Sequence, residues 1–370
     1  MPPSEGRLRA LFVTPDFPPA WGGIQLLVHR LATAAPGLEP TVVTIRCEGA
    51  DEADLDGLDV RRTGSSRAPH RLNLAALNAA ALMTGVRQRF DVVVCAHIVA
   101  APAAATIARL RGVPMVLLLY ALEIPSRPSL TRWACDRADR VVAISRYTRE
   151  LAVGVGAGQD KIAIITPGVD VGKPPRIGAG ERTPTIVTVS RLVDRYKGHD
   201  VMLRAMPLVR AAVPEARLAV LGDGRLQPHL ESMAESLGLT ASVTFTGEVA
   251  TGERDAWLSR ARVLAMPSRI PPDGAGEGFG IVYLEAGAHR APVVAGAIGG
   301  ALDAVVDGES GTLVDPTDHV AVAEALVLIL TDDELATRLG DGGRARAERF
   351  SWPAAAGQLE ALARYLVDER

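Results

Sequence analysis

Residues 167–184 read "PGVDVGKPPRIGAGERTP", and "TIVTVS", 185–190, follows at once. The first stretch is rich in Gly and Pro and has no apolar period, the composition of a linker. The second is a β-branched apolar run, a strand candidate. The same pattern lies on both sides of this break. Before it, "LRALFVT" (8–14), "TVVTIR" (41–46), "DVVVCA" (91–96), "PMVLLL" (114–119), "RVVAIS" (140–145) and "KIAIIT" (161–166) read as strands. After it come "TIVTVS", "ARLAVLG" (216–222), "SVTFTG" (242–247), "RVLAMP" (262–267), "APVVAG" (291–296) and "GTLVD" (311–315). Near-continuous apolar runs mark parallel strands covered on both faces. Helical segments such as "IQLLVHRLATAA" and "PAAATIARLRG" separate most of them. The alternation predicts an α/β protein of two Rossmann-like doubly wound domains facing a cleft. The boundaries expected are 1–172 and 173–352. The helical tail 353–370 has no strand after it and is expected to pack back on the first domain.

A length of 370 residues suits two domains of ordinary size. The 48% of hydrophobic residues can fill both cores, and a net charge of -3 gives no basic face for nucleic acid. Cys47, Cys95 and Cys135 form no CxxC pair and read as small core hydrophobes in a reducing compartment. The N-terminal stretch has only a short apolar run before Pro15, so neither a signal peptide nor a membrane span is expected. The chain reads as cytoplasmic, with peripheral membrane contact left open. Composition says nothing of oligomeric state.

Three loops carry candidate chemistry. In "VSRLVDRYKGHD", Arg191 stands one residue past a strand and Lys197 just before a helix. Two cations at a helix N-terminus suit a diphosphate; the bland alternative is surface charge. In "EGFGIVYLEA", 277–286, Glu277 precedes a Gly-Phe-Gly turn and Glu285 falls about two helical turns along. Gly278 and Gly280 let a ligand approach the backbone, whose free N–H groups can hold phosphate oxygens. Glu277 then reaches a group beside the phosphates and Glu285 a different part of the ligand. The alternative is a dipole-favoured acid at a helix start and a solvated helix residue. In "TPDFPPAWGGIQ", Gly22-Gly23 precede a helix without forming GxGxxG. That turn either admits a phosphate or is only a turn.

Taken in order, "GGIQ", "SRLVDRYKG", "LGDGRL", "FTGEV", "AMPSR", "EGFGIVYLEA" and "VVAGAIGGALDAVVDGESGTLVDP" resemble the retaining glycosyltransferases of family 4, of GT-B fold. The resemblance spans almost the whole chain. Its wording is similar to actinobacterial mannosyltransferases acting on phosphatidylinositol mannosides. It implies that Arg191 and Lys197 neutralise a donor pyrophosphate and that Glu277 holds hydroxyls of the transferred hexose. Phe279, Gly280 and Ile281 would offer backbone N–H groups, and Glu285 would bind the nucleotide ribose. Gly247 to Val249 would line the base pocket, and Gly23 would lie against the diphosphate. Gln25, His97 and Tyr120 are candidates on the sugar or acceptor side. Many relatives carry histidine in a stretch like "HGHE"; here "LLLYALE" puts Tyr120 and Leu122 at those places. Tyr120 cannot act as a cation. His97 either compensates or is structural.

The resemblance implies a metal-independent hexose transfer without a cofactor, from a GDP- or UDP-sugar to a hydroxyl acceptor such as a glycolipid, polysaccharide or small metabolite. The one DxD, Asp54–Asp56, lies in an acidic loop and reads as solvated surface. Two alternatives stand beside this: a non-catalytic nucleotide-sugar binding protein, and an NAD(P)-dependent oxidoreductase, against which the missing GxGxxG argues.

Overall fold

The computed structural model describes residues 6–20, 22–49, 55, 57–172, 182–272 and 274–370. The core of the linker, 173–181, and the pair Asp54 and Asp56 lie outside the described residues. Contacts divide the chain into two compact units, 1–168 with 352–370, and 169–351. The division falls a few residues before the expected 172/173 boundary. Val169 N–H donates to the Phe350 carbonyl at 3.0 Å, which ties this segment to the second unit.

The first unit is a seven-stranded parallel sheet of β1 (Leu8–Val13), β2 (Leu38–Ile45), β3 (Asp59–Thr63), β4 (Val92–Cys95), β5 (Met115–Leu119), β6 (Arg140–Ala143) and β7 (Ile162–Ile164). Its order is β3-β2-β1-β4-β5-β6-β7. The second unit has β8 (Thr185–Val189), β9 (Arg217–Leu221), β10 (Val243–Gly247), β11 (Val263–Met266), β12 (Val293–Gly296) and β13 (Thr312–Val314), ordered β10-β9-β8-β11-β12-β13. All strand pairs in both sheets run parallel. Central strands such as β4 and β11 are buried along their whole length, which is why they read as unbroken apolar runs. The twelve expected strands are present. β3, "DVRRT", is not among the expected strands; it is a half-exposed edge strand, so nothing demands apolar residues there.

In each sheet the strand order reverses between the first strand and the fourth, so β1/β4 and β8/β11 are switch points, where open α/β sheets bind ligands. The tail forms helix Trp352–Asp368, which buries Trp352, Leu359 and Ala363. Glu360 Oε2 accepts from Gly37 N–H at 2.9 Å, fastening the helix to the first unit.

Helix His70–Arg87 turns Asn73, Asn78 and Thr84 inward. Asn73 is buried and caps the preceding loop through Ser65, and Asn78 bonds Val99 and Ala103. Its outward face is Leu72, Ala75, Ala79, Met83 and Val86, and the three large side chains are more than half exposed. From Val60 to Leu122 the chain holds eight arginines and a single carboxylate, Asp91.

Candidate functional site

The second unit's switch point collects most of the sequence candidates. The segment leaving β8 runs from Ser190 through a 3-10 turn, Arg195–Lys197, to Gly198, whose φ of +81° opens helix His199–Ala212. The segment leaving β11 ends at Gly280, with φ +91°, which opens helix Ile281–Ala288 without a side-chain cap. The two segments touch backbone to backbone. Arg269 N–H donates to the Tyr196 carbonyl at 2.8 Å, and a Cβ on Gly198 would strike the Pro267 carbonyl.

Across this junction Lys197 Nζ lies 2.6 Å from Glu277 Oε2, with both side chains about one-sixth exposed. Burial alone would lower the Lys197 ammonium. The Glu277 carboxylate, with Tyr196 and Tyr283 beside it, outweighs that and holds it above the ordinary lysine range. Lys197 is therefore charged at any working pH. Arg191 is exposed, and its guanidinium has no partner among the described residues. Phe279 is buried against Phe350, ring centroids 5.7 Å apart, so its side chain is taken up by the fold. Ile281 is half-buried at the start of its helix. Glu285 lies on the second turn and pairs with Arg254 at 2.9 Å. Val249 is half-buried between β10 and helix Thr251–Arg260.

The candidates of the first unit flank its own switch point. Gly23 begins helix Gly23–Thr33, and Gln25 is buried with Nε2 donating to Asp16 Oδ1 at 3.0 Å. His97 caps a short turn, its Nδ1 accepting from Val99 N–H at 3.2 Å. Burial pushes it down to about 4, with Arg127 and His70 adding, so it is neutral. Tyr120 is 4% exposed and its hydroxyl donates to the Ala96 carbonyl at 2.7 Å. That hydroxyl is spent on the fold; the exposed side chain of the segment is Leu122.

Three residues escaped the sequence reading. Buried Glu123 accepts from Tyr120 and Ala121 N–H and holds Ala121 at a φ of +139°. His199 is buried with Nε2 2.8 Å from Ser190 Oγ, and burial, with Lys197 nearby, pushes it down to about 4. It steadies the turn before Arg191 as a neutral ring. Arg254 sits in "GERDAW", a charged helix start indistinguishable from solvated surface.

Two doubly wound parallel domains define the GT-B fold. The model of Glycosyltransferase Family 4 matches residues 21–173 and that of Glycosyl transferases group 1 matches 173–346. The chain belongs to this glycosyltransferase family. It is 35% identical to the GDP-mannose-dependent alpha-(1-6)-phosphatidylinositol monomannoside mannosyltransferase of Mycolicibacterium smegmatis, over 95% of this chain and 97% of that one. It is 31% identical to the corresponding monoacylated-acceptor enzyme of Corynebacterium glutamicum, over 93% and 94%. Among solved structures, sucrose-phosphate synthase of Thermosynechococcus elongatus shares the fold with a TM-score of 0.85 at 23% identity, covering 98% of this chain and all of that one. Anabaena HepE, solved with UDP and glucose, gives 0.80 at 20%, covering 97% and 100%.

Proposed function

We propose that the chain is a retaining, metal-independent mannosyltransferase that uses GDP-mannose and a lipid-linked acceptor of the phosphatidylinositol mannoside kind. The observation that carries this is the Lys197–Glu277 pair at the β8/β11 switch point. In the reaction the bond from the anomeric carbon to the diphosphate oxygen breaks, and its electrons leave with GDP. The acceptor oxygen bonds to the same carbon and its proton passes to the departing phosphate. Negative charge therefore grows on the diphosphate, where Lys197, Arg191 and the N–H groups at Gly280 and Ile281 stabilise it. In this reading Glu277 takes hexose hydroxyls as Lys197 turns to phosphate, and Glu285 takes the ribose. The nucleotide and acceptor come from the relatives' activities.

The test is transfer from GDP-mannose to vesicles carrying the acceptor, with and without EDTA. The expected product is an α-linked mannolipid formed at an unchanged rate in chelator. Activity lost in EDTA and restored by Mg²⁺ would sink the metal-free reading. GDP-mannose binding without transfer to any of these acceptors would favour the binding-protein alternative.

The acceptor side has its own support. No described helix is long and apolar enough to cross a membrane. Helix His70–Arg87 nonetheless exposes Leu72, Met83 and Val86, with Arg67, Arg71, Arg87 and Arg89 exposed at its two ends. Apolar side chains between exposed cations suit the interface of an anionic bilayer. The triple variant Leu72→Ser, Met83→Ser, Val86→Ser is expected to bind phosphatidylinositol vesicles at least about tenfold more weakly, since each change removes on the order of 1 kcal/mol of apolar burial. Its transfer to a water-soluble acceptor analogue should be unchanged. Sedimentation with vesicles decides this; undiminished binding removes the helix from the membrane role.

A further inference from the structure

The second carboxylate of "EGFGIVYLEA" is not a free acid awaiting a ligand. Arg254, on helix Thr251–Arg260, places Nη1 2.9 Å from Glu285 Oε1. The same guanidinium reaches Asp255 Oδ1 through Nη2 at 3.2 Å. Asp255 Oδ1 is 3.8 Å from His289 Nε2, and His289 Nδ1 is 2.9 Å from Ser259 Oγ. The Glu285 side chain is 14% exposed and that of Arg254 20%. Glu285 Oε2 has no partner among the described residues.

We propose that Arg254 is a positioning residue for the nucleotide: its guanidinium pins one oxygen of Glu285 and leaves the other open to the ribose diol. This rests on the ribose role of Glu285 proposed above. A vicinal diol donates two hydrogen bonds, and a carboxylate accepts both where a protonated acid would not. Burial raises the Glu285 carboxyl above its ordinary range, Arg254 opposes that rise, and Asp255 and Asp170 add to it. Burial lowers His289, so this ring supplies no positive charge at neutral pH. Among the described residues Arg254 is thus the single cation facing Glu285, against two further carboxylates. Without it, nothing opposes the rise that burial, Asp255 and Asp170 impose on the Glu285 carboxyl, and a protonated Glu285 no longer accepts both ribose hydroxyls.

The experiment is calorimetric titration of GDP from pH 6 to 9. The wild type and Arg254→Lys are expected to bind with one affinity across the range. Arg254→Met is expected to bind tenfold or more weakly at pH 6 and to recover toward wild type by pH 9. If Arg254→Met does not fold, Arg254→Gln, which keeps a hydrogen-bond donor without the charge, is expected to show the same slope. GDP lacking both ribose hydroxyls should show no such slope with any variant. Equal weakening at every pH would mean that Arg254 only packs one helix on the other, and the inference fails. Glu285→Gln separates the two claims. If it binds GDP like wild type, the ribose reading falls; if it binds weakly while Arg254→Met is flat with pH, only the Arg254 inference falls.

Discussion

Lys197→Ala is expected to lower turnover by about 10²–10³-fold, the usual effect of removing one stabiliser of developing charge. Charge on the diphosphate increases toward the transition state, so a cation beside it contributes more there than in the ground state. Glu277→Ala is expected to fall nearly as far, because in the proposed reaction the hexose it would hold gains positive character as the bond breaks. The 2.6 Å contact between the two adds a second expectation. Each single variant leaves the other group without its resting partner, so the double variant should cost little more than either alone. Glu285→Ala acts elsewhere: a ribose contact is the same in both states, so it should raise the donor KM and leave kcat largely intact. Steady-state kinetics on the four folded variants checks all of this. A strictly multiplicative double variant, or a Glu285→Ala enzyme as slow at saturation as Lys197→Ala, contradicts this division of roles.

Gly300→Ala is expected to be nearly as damaging, although Gly300 touches no ligand in the proposed reaction. Gly300 N–H donates to the Glu277 carbonyl at 2.8 Å, and a Cβ there would run into the Gly278 carbonyl and the Phe279 nitrogen. Those atoms are backbone and cannot swing aside. The methyl must push the loop that carries Glu277 and opens helix Ile281–Ala288. Overpacking of this kind costs about 1–3 kcal/mol. At roughly 2–4 °C per kcal/mol for domains of this size, melting should fall by several degrees. A displacement near 1 Å at the reacting groups costs on the order of 10²-fold in rate. Gly357→Ala is the control: it lies within helix Trp352–Asp368 with nothing near its Cβ position, and should stabilise by about 0.5–1 kcal/mol. A Gly300→Ala enzyme with wild-type melting and turnover would show that the loop yields without consequence.

The strands were legible because parallel strands buried on both faces need unbroken apolar runs, and "DVVVCA" or "RVLAMP" can be little else. β3 was hidden because an edge strand that stays half-exposed tolerates "DVRRT". At the site, Lys197 and Glu277 were recognised one by one from their loops. Their direct pairing was not, since 80 residues separate them and no local rule joins the ends of β8 and β11. Arg254 failed for the same reason, its partner Glu285 lying beyond β11 on the next helix, Ile281–Ala288. Tyr120 shows the converse. Its position after β5 suggested a ligand contact, whereas its hydroxyl closes a bond to the Ala96 carbonyl inside the protein. Only the packed structure distinguishes a polar group aimed at a ligand from one consumed by the fold.

Helix Trp352–Asp368 belongs to the first unit, although the whole second unit precedes it in the sequence. The second unit, 169–351, is continuous and interrupts the first. During synthesis, then, the first unit stays incomplete until the second has been made. Its sheet must wait on the ribosome, with the surface meant for Trp352, Leu359 and Ala363 uncovered, until the final helix emerges. The interrupting half has all its strands in hand before that moment. Helix Trp352–Asp368 is the latch that closes a domain whose sheet is translated well before it.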